Sequence, residues 1–213
     1  MPRIEPRPTR ARRAKPGAQP KASIEDRLLA AMERLLEKGQ RFSSVSVEQL
    51  TQEAGLARAT FYLHFRDKSE LVVRLMSHVT EELIASTGNW LGNSEVAQHK
   101  DLQQAMVGVV HTFKKHQAIL AAVSDTASHD PDVAHLYQAM IDQISEQSRR
   151  ALATVKRNGL SRPDATNDVA DELSGMLVTY CAQNVGKRDG AELDRLAKAL
   201  GYIAASAVFS DTA

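Results

Sequence analysis

Cysteine is almost missing from this chain of 213 residues: Cys181 stands alone. A lone cysteine excludes an internal disulfide framework and any Cys-based zinc site, and its simplest role is that of a small buried apolar residue. Long apolar runs are missing too. No stretch of about 18 apolar residues occurs, so no membrane span is expected. The basic start has no apolar run behind it, which argues against a secretory signal. Aromatic residues make up only 5% of the chain. There is no Gly-rich phosphate loop, no G-x-S-x-G and no recognisable pair of catalytic carboxylates. Catalysis needs a nucleophile or base activated by a positioned partner, and nothing signals one. The chain is therefore expected not to be an enzyme and to need no cofactor.

What is present is a biased distribution of charge. The net charge is only +1. Residues 1–22, however, carry seven basic groups against Glu5, together with five of the seven prolines. Such a stretch has too little apolar surface to offset the entropy of ordering, so a disordered basic tail is expected. It is either a passive solubilising arm or an arm for DNA, and both readings stay open. The remaining basic character gathers locally around Arg58, His64, Arg66 and Lys68.

From Ser23 onward the periodicity is helical, and no segment alternates as a strand does. Ile24, Leu28, Ala31 and Leu35 share one face of a first helix, which Ser23 and Asp26 can cap. Ser46 and Gln49 form a second capping box ahead of Val47, Leu50 and Ala54, and Gly55 ends that segment. A third short helix runs from about Ala57 to Phe65. Asp67 and Glu70 cap a fourth, with its stripe at Leu71, Val72, Leu75, Val79 and Leu83. A break is expected from Gly88 to Asn93. Beyond it the pattern predicts helices over about Asp101–His116, Ala118–Ala127, Pro131–Gly159, Asp168–Asn184 and Glu192–Phe209. The last has Asp189 and Glu192 as its capping box. The fold class is all-α with about nine helices.

The segment "SVEQLTQEAGLARATFYLHFRDKSEL" is the most informative. Two short helices around a glycine, buttressed by a preceding helix, describe a helix-turn-helix. Phe61 and Phe65 lie one turn apart and face inward with Leu56. Ala59 and Leu63 face outward, flanked by Thr60, Tyr62 and Arg66. An outward face of this kind suits the major groove of DNA.

The run "GLARATFYLHFRDKSEL" resembles the tetracycline-repressor (TetR) family pattern, and its "RATFY" core is similar to the EthR-like members. The resemblance covers about residues 24–72. It implies an N-terminal three-helix DNA-binding domain over residues 23–66 and a helical effector-binding and dimerisation domain over residues 67–213. It also implies a bacterial cytosolic regulator, most simply a repressor, that binds a palindromic double-stranded operator as a homodimer. Thr60, Tyr62, His64 and Lys68 match family positions on DNA phosphates. Arg58, Ala59 and Leu63 match positions that reach base edges, and Ser46 joins the DNA-facing set. Arg58 suits guanine and Leu63 a thymine methyl. Ala57 departs from the family, which commonly has a capping serine there.

The resemblance further implies a pocket for a small apolar effector. Its expected lining is Met106, Val110, Phe113, Tyr137, Met140, Ile144, Met176, Thr179, Tyr180 and Asn184. Plain core packing is the competing reading for each. The last two helices are the expected dimer face, through Leu177, Leu193, Leu196, Leu200, Ala204 and Ala207. Gly175, Ala182 and Gly201 would permit close approach there. The spacings of His111 with His116 and of His129 with His135 do not place two imidazoles on one helix face. Asp125, His129, Asp130 and Asp132 read as a solvated helix end rather than a metal site. The rival functions are a DNA-binding regulator without a ligand and a helical adaptor whose basic tail binds acidic partners.

Overall fold

The computed structural model describes residues 23–92 and 98–210; the expected tail and Asn93 lie outside them. Among the described residues there are ten α-helices: α1 (Ile24–Glu37), α2 (Val47–Glu53), α3 (Arg58–His64), α4 (Lys68–Ser86), α5 (Asn89–Gly92), α6 (His99–Lys115), α7 (Gln117–Thr126), α8 (Pro131–Arg157), α9 (Asn167–Asn184) and α10 (Ala191–Val208). Two 3₁₀ turns, Phe42–Ser44 and Val185–Lys187, complete the set. Extended pairing within the described residues is limited to one bridge between Ser161 and Phe209. Helix α5 is the element the sequence reading lacks: a single turn inside the expected break, too short to show a period.

The capping signals act where their partners are local. Ser23 accepts from the Asp26 amide while Asp26 accepts from the Ser23 amide, and Ser46 and Gln49 do the same. Asp130 accepts from the Asp132 and Val133 amides ahead of Pro131. The Asp189–Glu192 box does not form. Gly190 occupies the cap of α10 at φ 49°, and the Asp189 carboxylate pairs with Lys114 at 2.8 Å instead. A long-range cation outcompetes the local amide.

Helices α1, α2 and α3 form one packed unit. Arg27 of α1 donates to the carbonyls of Ala54 and Gly55 at 2.9 and 2.8 Å. These two bonds satisfy the end of α2 and hold the turn, where Gly55 takes φ 64°. The four-residue connection from Ala54 to Ala57 then aims α3 outward. Behind it the long α4 leads into a bundle in which α6 packs on α10 and α4, and α8 packs on α9 and α4. The tightest crossing is at Gly108, where a Cβ would lie 1.9 Å from the Ser86 carbonyl oxygen. Only glycine lets α6 pass the end of α4. Cys181 is buried, and burial pushes its thiol up to about 12, so it behaves as a core side chain.

Candidate nucleic-acid interface and effector cavity

Helix α3 divides into two faces. Phe61 and Phe65 are buried with ring centroids 5.3 Å apart, and they fix the helix to the protein. The opposite face carries exposed Arg58, Ala59, Tyr62, Leu63 and His64, with Thr60 half-buried at its edge. Leu63 is 83% exposed, which is unusual for a leucine on so short a helix. The Arg58 guanidinium lies 5.7 Å from the Tyr62 ring centroid and reaches its hydroxyl at 3.5 Å. The tyrosine hydroxyl beside it raises the Arg58 pKa, so the cation persists at any ordinary pH. Ala57 caps α3 without a side-chain bond, and the Thr60 amide turns back to the Ala57 carbonyl at 2.9 Å. Ser46 is exposed at the N-cap of α2, with its hydroxyl accepting from the Gln49 amide at 3.1 Å.

Lys68 is placed differently from the expectation. Its ammonium turns inward and donates to the carbonyls of Phe42 and Ser43 at 2.9 and 3.0 Å. It also sits 5.6 Å from the Phe42 ring centroid. Burial holds its pKa below the ordinary lysine value. The side chain thus ties the 3₁₀ turn to α4, and its cation is withdrawn from the outer face. Arg66 remains exposed but pairs with Glu70 at 3.2 Å.

The C-terminal bundle contains a partly open cavity of about 60 Å³. Helices α4, α5, α6, α8 and α9 line it, with Leu83, Trp90, Met106, Phe113, Ile144 and Leu177 among the apolar walls. Thr87, Ser148 and Ser174 supply its hydroxyls. Of the expected lining, Met106, Phe113 and Ile144 are there. Val110 and Met140 are buried in the surrounding core and Tyr137 is half-buried. Met176 and Tyr180 are exposed on α9, at 67% and 40%. Thr179 and Asn184 line surface grooves instead. The sequence reading missed Trp90, Ser148 and Ser174. A serine recurring one turn from Ile144 and from Val178, on otherwise apolar faces, was the available signal.

The residues expected at a dimer face also fall elsewhere. Leu193, Leu196, Leu200 and Ala204 are buried within the protomer, where α10 packs on α6. Gly201 makes its close approach there too, since a Cβ would lie 3.2 Å from the Gln103 Cα. Leu177 and Ala207 are half-buried, Leu177 against the cavity. The large apolar side chains that α9 and α10 do leave exposed are Met176, Tyr180, Tyr202 and Ile203.

One buried polar cluster joins α1 to α4 and to the junction of α6 and α7. His116, 2% exposed between α6 and α7, lies 2.6 Å from Glu33 of α1 through Nδ1 and 2.5 Å from Glu82 of α4 through Nε2. Both ring nitrogens face carboxylates, so both donate and the imidazole is a cation. Burial opposes that charge, but the two carboxylate bonds overcome it and raise the pKa. Lys115 joins Glu82 at 2.8 Å. Among the described residues no group of three His, Cys, Asp or Glu could hold a metal ion, and no helix is long and apolar enough to cross a membrane.

Comparison with known proteins agrees with this geometry. Residues 28–75 match the family model described as bacterial regulatory proteins, tetR family. The HTH-type transcriptional regulator EthR of Mycolicibacterium smegmatis is 23% identical over 207 residues, covering 94% of each chain. The TetR family transcriptional regulator PfmR of Thermus thermophilus has a similar structure, with a TM-score of 0.63 at 23% identity over 83% of this chain and 95% of that one. So does NalD of Pseudomonas aeruginosa, described as the secondary repressor of the MexAB-OprM multidrug efflux pump. Its TM-score is 0.63 at 20% identity, covering 88% and 98%.

Proposed function

Because the chain belongs to the tetR family of bacterial regulatory proteins, which are DNA-binding transcriptional regulators, we propose that it is a homodimeric repressor whose hold on its operator is released by a small ligand. The observation that carries the DNA half of this reading is α3 itself. Buried Phe61 and Phe65 anchor a helix whose other side offers Arg58, Ala59, Thr60, Tyr62, Leu63 and His64 to the outside. Hydroxyl and imidazole groups suit phosphate contacts that fix register, and Arg58 and Leu63 suit base edges.

A two-fold dimer sets two such helices about one turn of DNA apart, ~34–36 Å. Met176, Tyr180, Tyr202 and Ile203 supply the dimer face, since they are the large apolar side chains exposed on α9 and α10. A palindromic operator follows from the same symmetry. For release, the ligand needs only to favour a different separation of the two recognition helices. Tenfold weaker DNA binding corresponds to about 1.4 kcal/mol of differential affinity.

The cavity's size favours one rival enough to state it. Pockets for drug-sized ligands run to roughly 300–1,000 Å³, against about 60 Å³ here. A ligand-independent regulator would have a nearly filled core of this kind. The effector reading therefore requires the lining to yield, and Met106 is the adaptable wall. Selecting genomic fragments that bind the full-length protein tests the DNA reading. Recovery of a palindrome with half-sites one helical turn apart supports it, and random recovery refutes it. Release of that fragment by metabolite extracts separates the two regulatory readings.

A further inference from the structure

The hydroxyls of the cavity have a defined polarity, and it selects a class of ligand. Ser174 is buried, with its Oγ 2.7 Å from the Ala170 carbonyl and 3.1 Å from Ser148 Oγ. A serine hydroxyl has one proton. A carbonyl can only accept, and it is the nearer partner, so the Ser174 proton goes to Ala170. The bond between the serines is then kept by Ser148 donating to Ser174. Thr87 is committed in the same way: its Oγ1 donates to the Ile84 carbonyl at 2.5 Å. All three hydroxyls therefore have their protons engaged by the protein. What they have left for an occupant are lone pairs.

Apart from the indole N–H of Trp90, a donor, every other lining side chain is apolar, and none is charged. A buried anion or cation would have no counter-charge there, and burying an unpaired charge is prohibitive. We propose that the cavity binds a neutral, compact, largely apolar molecule that carries one hydrogen-bond donor, of the alcohol or phenol class, with its O–H donating to Ser148. An acceptor-only ligand finds no free hydroxyl proton, because accepting from Ser148 would break the bond to Ser174. This assignment rests on the effector reading of the bundle, and it adds the chemistry of the effector.

The protein carries its own reporter. Trp90 is the single tryptophan, is 5% exposed and lines the cavity, so its fluorescence reads occupancy without DNA. The probes are 4-ethylphenol as donor, 1-ethyl-4-fluorobenzene as its near-isostere without a donor, and 4-ethylbenzoate as anion. With wild-type protein, 4-ethylphenol should saturate the Trp90 signal. The benzoate should bind more weakly by roughly a hundredfold or more, for want of a counter-charge. Ser148→Ala should weaken 4-ethylphenol about fivefold, the worth of one neutral hydrogen bond, and leave the fluoro analogue unchanged. Ser174→Ala should act in the opposite sense on acceptors. It frees the Ser148 proton, so 4-ethylbenzaldehyde should gain affinity. Absence of any Trp90 response, a benzoate that binds as well as the phenol, or a Ser148→Ala loss equal for phenol and fluoro analogue would each overturn the assignment. Phenol binding that leaves the affinity for a selected genomic fragment unchanged supports the site and refutes the effector reading.

Discussion

Replacing His116 by glutamine is the most direct probe of how the DNA-binding helices are held to the rest of the molecule. The imidazolium is 2% exposed and bridges Glu33 on α1 to Glu82 on α4. The groups around it come from each packed element. Helix α1 presents Glu33, α4 presents Glu82 with His78 at 3.7 Å behind it, and α6 presents Lys115 on Glu82. Helix α7 has no titratable residue before Asp125. Removing one member of a buried ion pair costs about 3–5 kcal/mol, mainly by stranding the other charge. Here the lower end applies or slightly less, about 2–3 kcal/mol, for two reasons. Glu33 and Glu82 keep 18% and 32% of their side-chain exposure, and Lys115 still serves Glu82. For a chain of this size that is a fall in Tm of roughly 5–10 °C.

The pH dependence carries the sharper test. The folded state raises the His116 pKa above its ordinary 6.5. Its contribution to stability is therefore complete below pH 6.5 and is lost as pH rises through the raised value. Burial opposes the charge of Glu82 as well, but the bonds from Lys115 and His116 prevail and hold it below its ordinary 4.5. That contribution is complete above 4.5 and is lost as pH falls through the lowered value. The difference in Tm between wild type and His116→Gln should be widest near pH 6 and should narrow as pH rises through the raised His116 value. Adding Glu33→Gln to His116→Gln should recover part of the loss, since one stranded carboxylate disappears. Thermal melts across this range are sufficient. A difference that never narrows as the pH is raised to the alkaline limit of folding, or a variant as stable as wild type at pH 6, would refute the charged bridge.

Other consequences are simpler. Arg58→Ala should relax base preference at one position per half-site by about 1–3 kcal/mol, whereas Tyr62→Phe should weaken all sequences alike; binding to a panel of operator variants distinguishes them. Ile203→Glu should give folded monomers by light scattering, because its side chain is exposed, whereas Leu200→Glu should lower Tm sharply, because Leu200 is buried against α6. A dimeric Ile203→Glu would remove that face from the interface. Gly108→Ala puts a Cβ 1.9 Å from the Ser86 carbonyl and should cost about 1–3 kcal/mol by forcing α4 and α6 apart, measured by denaturant midpoint; no shift would contradict the close crossing. Deleting residues 1–20 should flatten the salt dependence of DNA binding by about one unit per lost phosphate contact; an unchanged slope makes the segment a passive tail.

The sequence made the helices legible because their evidence is local. A period of 3.6 and a capping box involve residues within one or two turns, and Ser23–Asp26 and Ser46–Gln49 formed as read. The same logic placed Phe61 and Phe65 inward and Leu63 outward. It failed where a distant group intervened. Asp189 left its capping box for Lys114, and His116 draws its two carboxylates from residues 83 and 34 positions away. No window of sequence contains either pairing.

Faces were harder than helices for a related reason. Periodicity shows that Leu193, Leu196 and Leu200 form a stripe that must be covered, but not by what. In the folded chain α6 covers it, so the stripe carries no information about a second copy. The informative residues are those a helix exposes despite being apolar. Met176 and Tyr180, one turn apart on α9, and Tyr202 and Ile203 on α10 lie off the buried stripes of their helices. Lys68 makes the same point in the opposite sense. A lysine at the head of α4 reads as a free cation, yet two carbonyls of the 3₁₀ turn had no helical partner and took it. With Lys68 withdrawn, the full cations near α3 reduce to Arg58 and Arg66, and Arg66 is shared with Glu70. Under the proposed function, a helix so lightly charged would hold DNA chiefly through fit and directed hydrogen bonds. Its discrimination between sequences should therefore survive added salt better than its affinity for DNA in general.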